Sequence, residues 1–477
     1  MAILVGLALR LHGLNWDQGF MFHPDERAIL MKVEGGLSLP MPINFGQLLD
    51  PKTSPLNPHW FPYGTLPLYI LKLAGHVLSF IKESYASHDL RLVGRAISAV
   101  FDVGTIFLVY VIGRRIYDRR VGVLGAIFVS LSVIDIQLSH FYAVDVMLAF
   151  LITLTIYFCV NLAERRRDRD VVMVGLCLGL SFAVKVSTAP ILVPVLAALV
   201  LSRRGQVLGR LLAILVVAAV AFFLAAPFSI LDHDAFLASV TEQSGMVRRI
   251  LDYPYTRQYI DTPAYLYHIV QLGRWGLGPA LGIVAWSGLA FATLLALVRR
   301  RRGDILLLSW VLPYFAITGA FEVKFLRYLL PIVPILCLMG ARLLFSLRDF
   351  SPHLGSKART IANVAIGIVV AATAFYALAY MNVYSLPHPA VRMAEWINAN
   401  VPKGTMILKE HWEEGIPNLG AYRGGDLNLY ENDDANKLNH SVTQVRSGDY
   451  VVFFSNRLYG TIPRLPERYP LTSRYYD

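Results

Sequence analysis

The sequence predicts an all-α, polytopic membrane protein that carries a small α/β domain at its C-terminal end. Of the 477 residues, 55% are hydrophobic and only 16% are charged, whereas a soluble domain carries about 25% charged residues. The hydrophobic residues gather in runs of about 20, which is the length of a helix that crosses a bilayer. Basic residues gather between alternate runs, as the positive-inside rule requires of cytoplasmic loops.

Eleven transmembrane helices are predicted from these runs. They are expected at about 1–14, 92–113, 121–140, 143–162, 171–186, 187–202, 208–230, 278–298, 304–320, 326–345 and 360–383. The apolar segment 62–81 is interrupted or flanked by three prolines and two glycines. We expect it to form helices at the membrane surface, because proline breaks a helix interior; a twelfth span is the alternative.

Five basic connections orient the chain. They contain Arg114, Arg115, Arg119 and Arg120; Arg165, Arg166, Arg167 and Arg169; Arg203, Arg204 and Arg210; Arg299 to Arg302; and Arg342, Arg348, Lys357 and Arg359. The positive-inside rule places these connections and the N-terminus in the cytoplasm. We expect the membrane to be the plasma (inner) membrane. The outer loops 15–90 and 231–277 and the C-terminus are then extracytoplasmic.

The chain is expected to divide into a transmembrane domain at 1–384 and an extracytoplasmic α/β tail at 385–477. Within the tail, 390–400 has helical periodicity, and the runs 405–408 and 450–454 are typical of buried strands. The apolar start is short for a span and the tail stops abruptly at Asp477, so we expect both ends of the chain to be incomplete.

Two composition features exclude other classes of protein. The net charge of +11 is carried largely by the basic connections, so nucleic acid is not expected as a partner. The three cysteines all lie in apolar runs, where they are small buried hydrophobic residues rather than disulfide or zinc partners.

Adjacent carboxylates follow the first predicted span. His23-Pro24-Asp25-Glu26-Arg27 opens the first outer loop; one carboxylate there can accept a proton while the other orients a hydroxyl or helps to hold a divalent cation. The alternative is that Asp25 and Glu26 merely begin an interfacial helix, where acidic side chains favour the N-terminal dipole.

A second acidic motif lies at the predicted outward turn between spans 3 and 4. Ser139-His140-Phe141-Tyr142-Ala143-Val144-Asp145 ends directly before a long apolar helix. A carboxylate inside a bilayer is costly and is often functional. A helix cap in a tight turn is the alternative reading of Asp145.

Three cations are predicted near the same outer surface. Lys185 lies late in span 5, Arg95 begins span 2, and Arg327 begins span 10 immediately before Tyr328. The positive-inside rule does not require cations there, so an anionic partner such as a lipid phosphate is plausible. Snorkelling of the lysine and ordinary headgroup contact by the arginines are the alternatives.

These motifs resemble those of the GT-C glycosyltransferases, in the branch that contains the protein O-mannosyltransferases and the lipid A aminoarabinose transferases. The resemblance covers about 1–345 and rests on Asp25-Glu26, on the motif that ends at Asp145, on the helices of Arg95 and Lys185, and on Arg327-Tyr328 before Pro331. It implies an inverting, extracytoplasmic transfer of a sugar from a polyprenyl-phosphate donor to an acceptor hydroxyl, with the acceptor a glycan, a lipid or a protein.

The resemblance also implies roles for the residues. Asp25 matches the general base, while Glu26 and Asp145 would orient the acceptor or the sugar. Asp25 and Asp145 would also be the ligands of a divalent cation (Mg or Mn), where one is used. Donor-phosphate binding falls to Arg95, Lys185, Arg327 and Tyr328, and His23 and His140 are secondary candidates.

Two other classes of function stay open. One is a non-catalytic membrane subunit, within a larger complex, that keeps a transferase-like scaffold. The other is a transporter, which predicts charges near mid-span and repeated halves with broken helices.

Overall fold

The computed structural model describes residues 1–39, 44–86, 89–165, 167–202, 205–355 and 357–476. Arg166, Arg203 and Arg204 of the basic connections and the C-terminal Asp477 lie outside these ranges. The chain forms two compact units. Unit 1 contains Met1–Leu14, His23–Gln243 and Pro263–Asn382, and unit 2 contains Asn15–Phe22, Ser244–Thr262 and Val383–Asp477. The division therefore differs from two contiguous domains, since two earlier segments belong with the tail.

Most of the described chain is helical. The helices are α1 (Ala2–Leu11), α2 (Pro24–Gly35), α3 (Phe45–Leu48), α4 (Leu66–Ser79), α5 (Leu90–Ile116), α6 (Arg119–Leu131), α7 (Val133–Ser139), α8 (Val144–Arg165), α9 (Asp168–Val184), α10 (Leu192–Leu201), α11 (Val207–Ala225), α12 (Phe228–Leu231), α13 (His233–Val247), α14 (Leu266–Gln271), α15 (Pro279–Arg299), α16 (Arg302–Thr318), α17 (Val333–Phe350), α18 (Ala358–Ser385), α19 (Pro389–Asn400), α20 (Ala435–Ser447) and α21 (Ser473–Tyr476).

Six helical segments of the described chain are long and apolar enough to cross a membrane. They are Leu90–Ile116, Val144–Arg165, Val207–Ala225, Pro279–Arg299, Leu326–His353 and Ala358–Asn400. The pair α6 and α7, bent by 55°, is a seventh if it counts as one span. Large side chains such as Leu224 and Phe375 are more than 70% exposed on these segments, which suits contact with lipid rather than water. The chain is accordingly a multi-pass membrane protein.

Several of the eleven predicted spans form helices shorter than the roughly 20 residues that a bilayer crossing needs. The expected spans 171–186 and 304–320 are α9 and α16, each of 17 residues. The expected span 187–202 begins with a 3₁₀ helix, Val186–Ile191, that contains Pro190, and only 10 residues of α-helix follow. Proline removes a backbone donor and interrupts the helix there. The number of crossings therefore stays a prediction.

Glycines allow close contacts between helices of unit 1. A Cβ atom on Gly113 of α5 would lie 2.7 Å from the Cα atom of Gly122 of α6, and one on Gly288 of α15 would lie 2.5 Å from the backbone of Gly340 of α17. Small residues let helix backbones approach in this way where lipid supplies no hydrophobic driving force between helices.

Two of the buried basic side chains of unit 1, Arg342 and Arg10, pair with carboxylates of neighbouring helices. Arg342, expected in a cytoplasmic connection, lies in α17 at 3% exposure and forms an ion pair with Asp304 of α16. Arg10 of α1 pairs with Asp102 of α5, and its other nitrogens donate to the carbonyls of Val129 and Ser130. Each guanidinium compensates a buried carboxylate, as desolvated charges require.

Unit 2 contains a three-stranded parallel sheet of order β2-β1-β3. The strands are β1 (Met406–Glu410), β2 (Arg423–Leu427) and β3 (Tyr450–Val452). Successive side chains of a strand point to opposite faces, so Leu408 joins the cluster with Leu427 and Tyr469, while Ile407 packs with Ile397 and Val401 from around α19. Both faces of the sheet are thereby covered.

The segment 244–262 belongs to unit 2 through charged contacts. Arg257 donates to the carbonyl of Tyr430 at 2.8 Å and to the hydroxyl of Tyr469 at 2.6 Å. Asp252 accepts from Arg468 at 2.7 Å. The sequence pattern predicted an outer loop here but gave no sign of its partner segment.

Glu410, at the end of β1, gives the tail an expected pH dependence. Its side chain is fully buried and accepts a hydrogen bond from the Tyr476 hydroxyl. Burial raises the pKa of Glu410 from 4.5 to about 7. Because the folded tail holds this proton more tightly than the unfolded chain, stability is present at pH 4.5 and falls as the pH rises through 7.

We therefore expect the unfolding temperature of the tail, measured by calorimetry of the full chain in detergent, to be higher at pH 5 than at pH 8. Glu410→Gln should reduce this difference, whereas Glu395→Gln on the exposed side of α19 should retain it. An unchanged pH dependence in Glu410→Gln would show that another group controls it.

Candidate active site

Asp25 lies at the start of α2, opposite an arginine from a distant part of the chain. Proline at the first helical position and His23 as N-cap fix where α2 begins. The Asp25 carboxylate forms an ion pair with Arg327 of the 3₁₀ helix Leu326–Ile332. Their side chains remain 17% and 21% exposed, so both members of the pair are still accessible.

Glu26, the next residue, is directed into the protein. Its carboxylate accepts two hydrogen bonds from Arg95 of α5, at 2.8 and 2.5 Å, and a third from the backbone N–H of Tyr142 at 2.9 Å. Both side chains are fully buried. Arg95 also donates to the carbonyl of Leu14 at 2.5 Å. The pair therefore ties α2 to α5 and to the turn before α8.

Asp145 and Lys185 form the third acid–base pair. Asp145 is in the first turn of α8, and one of its oxygens lies 3.6 Å from the Lys185 ammonium just after α9. Asp145 is 4% exposed, whereas Lys185 is 21% exposed. The buried carboxylate thus holds a cation whose outer side is open.

Tyr328 lies between the first and third pairs. The Lys185 ammonium is 4.9 Å from the centre of the Tyr328 ring, and the guanidinium carbon of Arg327 is 5.9 Å from the same ring. Cations within about 6 Å of an aromatic centre are attracted to its face. The structure therefore brings Asp25, Arg327, Tyr328, Lys185 and Asp145 together in one continuous series of contacts.

Gly64, which no sequence motif assigns a role, positions Lys185. Its N–H donates to the carbonyl of Val184 at 2.9 Å, and an added Cβ atom would lie 1.9 Å from the carbonyl oxygen of Ala183. Only glycine lets the segment before α4 approach the end of α9 so closely. A glycine within a proline-rich surface segment was the available signal.

The His23 side chain contacts the first turn of α2 and the Phe141 ring. Its Nδ1 accepts the N–H of Glu26 at 3.3 Å, and its ring stacks on Phe141 with centres 4.2 Å apart. Burial, with Arg327, Arg95 and Arg27 nearby, lowers the pKa of His23 to about 3. The ring is neutral at neutral pH, and it orients the turn that carries Asp25.

His140 is fully buried at the end of α7, and its ring nitrogens lie 2.7 Å from the carbonyl of Ile136 and 2.9 Å from that of His12. It joins two backbone segments of unit 1.

The carboxylates named as metal ligands each face a cation. Asp25 is paired with Arg327 and Asp145 with Lys185, and the described residues contain no group of three or more His, Cys, Asp or Glu side chains that could hold a metal. Mg²⁺ and Mn²⁺ require several oxygen ligands. The arrangement therefore does not fit a divalent cation.

Part of the chain is similar in sequence to known glycosyltransferases. A family model described as dolichyl-phosphate-mannose-protein mannosyltransferase matches residues 86–231. A curated relative, the undecaprenyl phosphate-alpha-4-amino-4-deoxy-L-arabinose arabinosyl transferase 1 of Proteus mirabilis, is 29% identical over 98 residues. That alignment spans 20% of this chain and only 18% of the relative's own length.

Solved structures share the fold at low identity. ArnT from Cupriavidus metallidurans bound to undecaprenyl phosphate has a TM-score of 0.55 at 13% identity, over 94% of this chain and 88% of that one. The Archaeoglobus fulgidus oligosaccharyltransferase tethered to an acceptor peptide has a TM-score of 0.56 at 14% identity, over 99% of this chain and 71% of that one. Together these matches show that the chain shares its fold with ArnT and with the oligosaccharyltransferase, and that residues 86–231 resemble the mannosyltransferase family model.

Proposed function

We propose that this chain is an inverting glycosyltransferase. It would move a sugar from a polyprenyl-phosphate donor to an acceptor hydroxyl on the extracytoplasmic side of the membrane, with Asp25 as general base. The observation that carries the proposal is the contact series from Asp25 through Arg327, Tyr328 and Lys185 to Asp145. It sets a carboxylate beside two accessible cations.

The three acid–base pairs differ in access, and this difference assigns their roles. Asp25, Arg327 and Lys185 keep 17–21% of their side-chain surface exposed, whereas Glu26 and Arg95 have none. Groups that touch a substrate must be reachable, so Asp25, Arg327 and Lys185 are the reacting and binding groups. The family resemblance implies sugar orientation for Glu26 and phosphate binding for Arg95. Because both are fully buried, we assign them instead to holding α2, which carries Asp25, against α5.

The chemistry follows from these positions. Asp25 accepts the proton of the acceptor hydroxyl as its oxygen attacks the anomeric carbon of the donor. The bond between that carbon and the phosphate oxygen breaks on the opposite side, and its electron pair leaves with the phosphate. Arg327 and Lys185 stabilise the negative charge that develops there. Attack opposite the leaving group inverts the anomeric centre.

The comparisons support the donor class. The description of the matched family model names dolichyl-phosphate-mannose. The ArnT structure, which has a similar fold, was solved with bound undecaprenyl phosphate. A lipid-borne donor also suits an outward site, because nucleotide sugars are confined to the cytoplasm. The orientation itself rests on the positive-inside pattern of the basic connections.

The test is a transfer assay on the purified full chain in lipid nanodiscs. A panel of polyprenyl phosphates carrying labelled hexoses or pentoses is supplied with envelope lipids and glycans as acceptors. We expect one donor to be consumed, with release of polyprenyl phosphate and transfer of the label. If no donor of the panel is consumed while the protein remains folded, the proposal fails.

Lys185→Gln should lower the transfer rate about 100-fold or more, because it removes one charge that stabilises the leaving phosphate. Lys185→Arg should retain part of the rate. Lys82→Gln is the matched control, since Lys82 is 57% exposed and pairs with Asp89 away from this site. Equal rates for Lys185→Gln and the control would remove Lys185 from the mechanism.

A non-catalytic subunit with the same scaffold is the second candidate. Its supporting observation is that Asp25 and Asp145 are both paired with cations in the structure, as they would be in an inert fold. It predicts that Lys185→Gln alters stability without any transfer to lose.

A further inference from the structure

An open groove lies on the surface of unit 2, between α20 and the segment 471–475. We call it the tail groove; it has a volume of about 510 Å³, within the roughly 300–1,000 Å³ typical of small-molecule sites. Its accessible surface is mostly apolar, and Leu429 and Leu471 line it together with α20. All of its lining residues belong to unit 2, and none is used by the proposed active site.

The apolar wall of the tail groove is a stripe on α20. Leu438, Val442 and Val445 follow the spacing of one helix face, and they are 42%, 39% and 38% exposed. Another side of the helix faces the sheet, because a Cβ atom on Gly425 of β2 would lie 3.0 Å from the Gln444 side chain. None of the residues of α20 is buried. The helix therefore presents its apolar stripe to the groove instead of the core.

The charges of the tail groove are unbalanced. Asp433 and Lys437 neutralise each other at 2.8 Å; Asp433 also accepts from the N–H groups of Leu471 and Thr472, and Lys437 also donates to the Leu429 carbonyl. Arg446 and Arg474 line the same groove. Within the described part of the chain neither guanidinium has an ion-pair partner, so the groove offers two uncompensated positive charges beside an apolar wall.

This combination selects an occupant with an anionic group and an apolar chain. A peptide segment brings a donor and an acceptor with each residue, and these need partners wherever they are buried. The groove supplies few: the polar atoms of Asp433, Lys437 and Thr472 already bond to one another, and of the hydroxyls on α20 that line it only that of Ser441 is unpaired in the described chain. An acyl or prenyl chain has no such requirement.

We propose that the tail groove is a binding site for a single anionic membrane lipid, with its chain along Leu438, Val442 and Val445 and its headgroup phosphate at Arg446 and Arg474. The site is separate from the proposed sugar-transfer site, and its occupancy does not depend on transfer activity. Binding there would couple the tail to the lipid composition around the protein.

The test uses phosphatidylglycerol with a photoreactive acyl chain, added to the full chain in a neutral detergent. Cross-linked peptides are mapped by mass spectrometry, and phosphatidylcholine with the same chain is the uncharged comparison. We expect labelling within residues 429–475 by phosphatidylglycerol, at least several-fold above that by phosphatidylcholine. Excess inorganic phosphate should compete only weakly, because it lacks the chain.

Two variants separate the parts of the site. Arg446→Gln with Arg474→Gln should lower labelling by phosphatidylglycerol on the order of tenfold, and Val442→Asp should lower labelling by both lipids. Arg392→Gln, on the exposed face of α19, is the matched control and should change neither. Equal labelling by the two lipids, displacement by phosphate alone, or stronger protection by an acidic amphipathic peptide than by lipid would each overturn the proposal.

Discussion

Asp25→Asn is expected to reduce the rate of sugar transfer by about 10²–10⁴-fold, the contribution that a general base typically makes. Asparagine keeps the size of the side chain and its place at the start of α2 but cannot accept the acceptor's proton. It also leaves Arg327 without its carboxylate partner. The measurement is the initial rate of label transfer from the donor identified in the panel, with donor binding measured separately.

The expected signature is a fall in kcat with little change in donor affinity, since Arg327 and Lys185 remain to hold the phosphate. Asp234→Asn, at a side chain that is 93% exposed on α13, is the control for expression and folding. A variant that folds like the control and retains full turnover would require another base, and Asp145 would then be the first residue to examine.

The contacts of the candidate site could be anticipated only in part from the sequence. Hydropathy and basic connections place Asp25, Asp145, Lys185 and Arg327 at one surface, because each lies near the end of an apolar run. They cannot say which carboxylate meets which cation. The pairing of Asp25 with Arg327, 302 positions later in the sequence, is set by how distant helices pack, and no local pattern encodes it.

The partners of Glu26 also could not be predicted from the sequence. In the sequence Glu26 is adjacent to Asp25 and has the same acidic group. Because successive residues of a helix point about 100° apart, one carboxylate can face the site while the other faces the core. Its partners are Arg95 and the backbone N–H of Tyr142. Every residue except proline has a backbone N–H, so the residue type at position 142 does not reveal this hydrogen bond. A sequence motif therefore could not predict this role of Glu26.

Local sequence patterns predict some of the helices and strands of the tail but not all of them. The helix Pro389–Asn400 and the strand Met406–Glu410 lie close to where the sequence pattern indicates them. The expected buried strand 450–454 is only Tyr450–Val452, and none of these three residues is buried. The strand Arg423–Leu427 was not predicted, because Arg-Gly-Gly-Asp has little strand propensity. Its backbone pairing with β1 overrides that preference, as tertiary context commonly does for strands.

Arg95→Met is expected to destabilise the protein by about 3–5 kcal/mol, since it leaves the Glu26 carboxylate buried without its charged partner. The double variant Glu26→Gln with Arg95→Met should recover most of that loss, because glutamine can still accept the Tyr142 N–H and no uncompensated charge remains. Arg120→Met is the matched control: Arg120 pairs with Asp349 at the surface with both side chains 47% exposed, and such pairs contribute about 1 kcal/mol or less.

The double variant also decides between two roles for Arg95. If Arg95 binds the donor phosphate, as the family resemblance implies, the folded double variant should bind the donor weakly and show a raised KM. If Arg95 positions α2, KM should stay near its original value while kcat falls, because Asp25 is held less firmly against the acceptor. Arg95 is completely buried and is hydrogen-bonded to Glu26 and to the Leu14 carbonyl, so we expect the second result. A raised KM with unchanged kcat would show instead that Arg95 binds the donor phosphate.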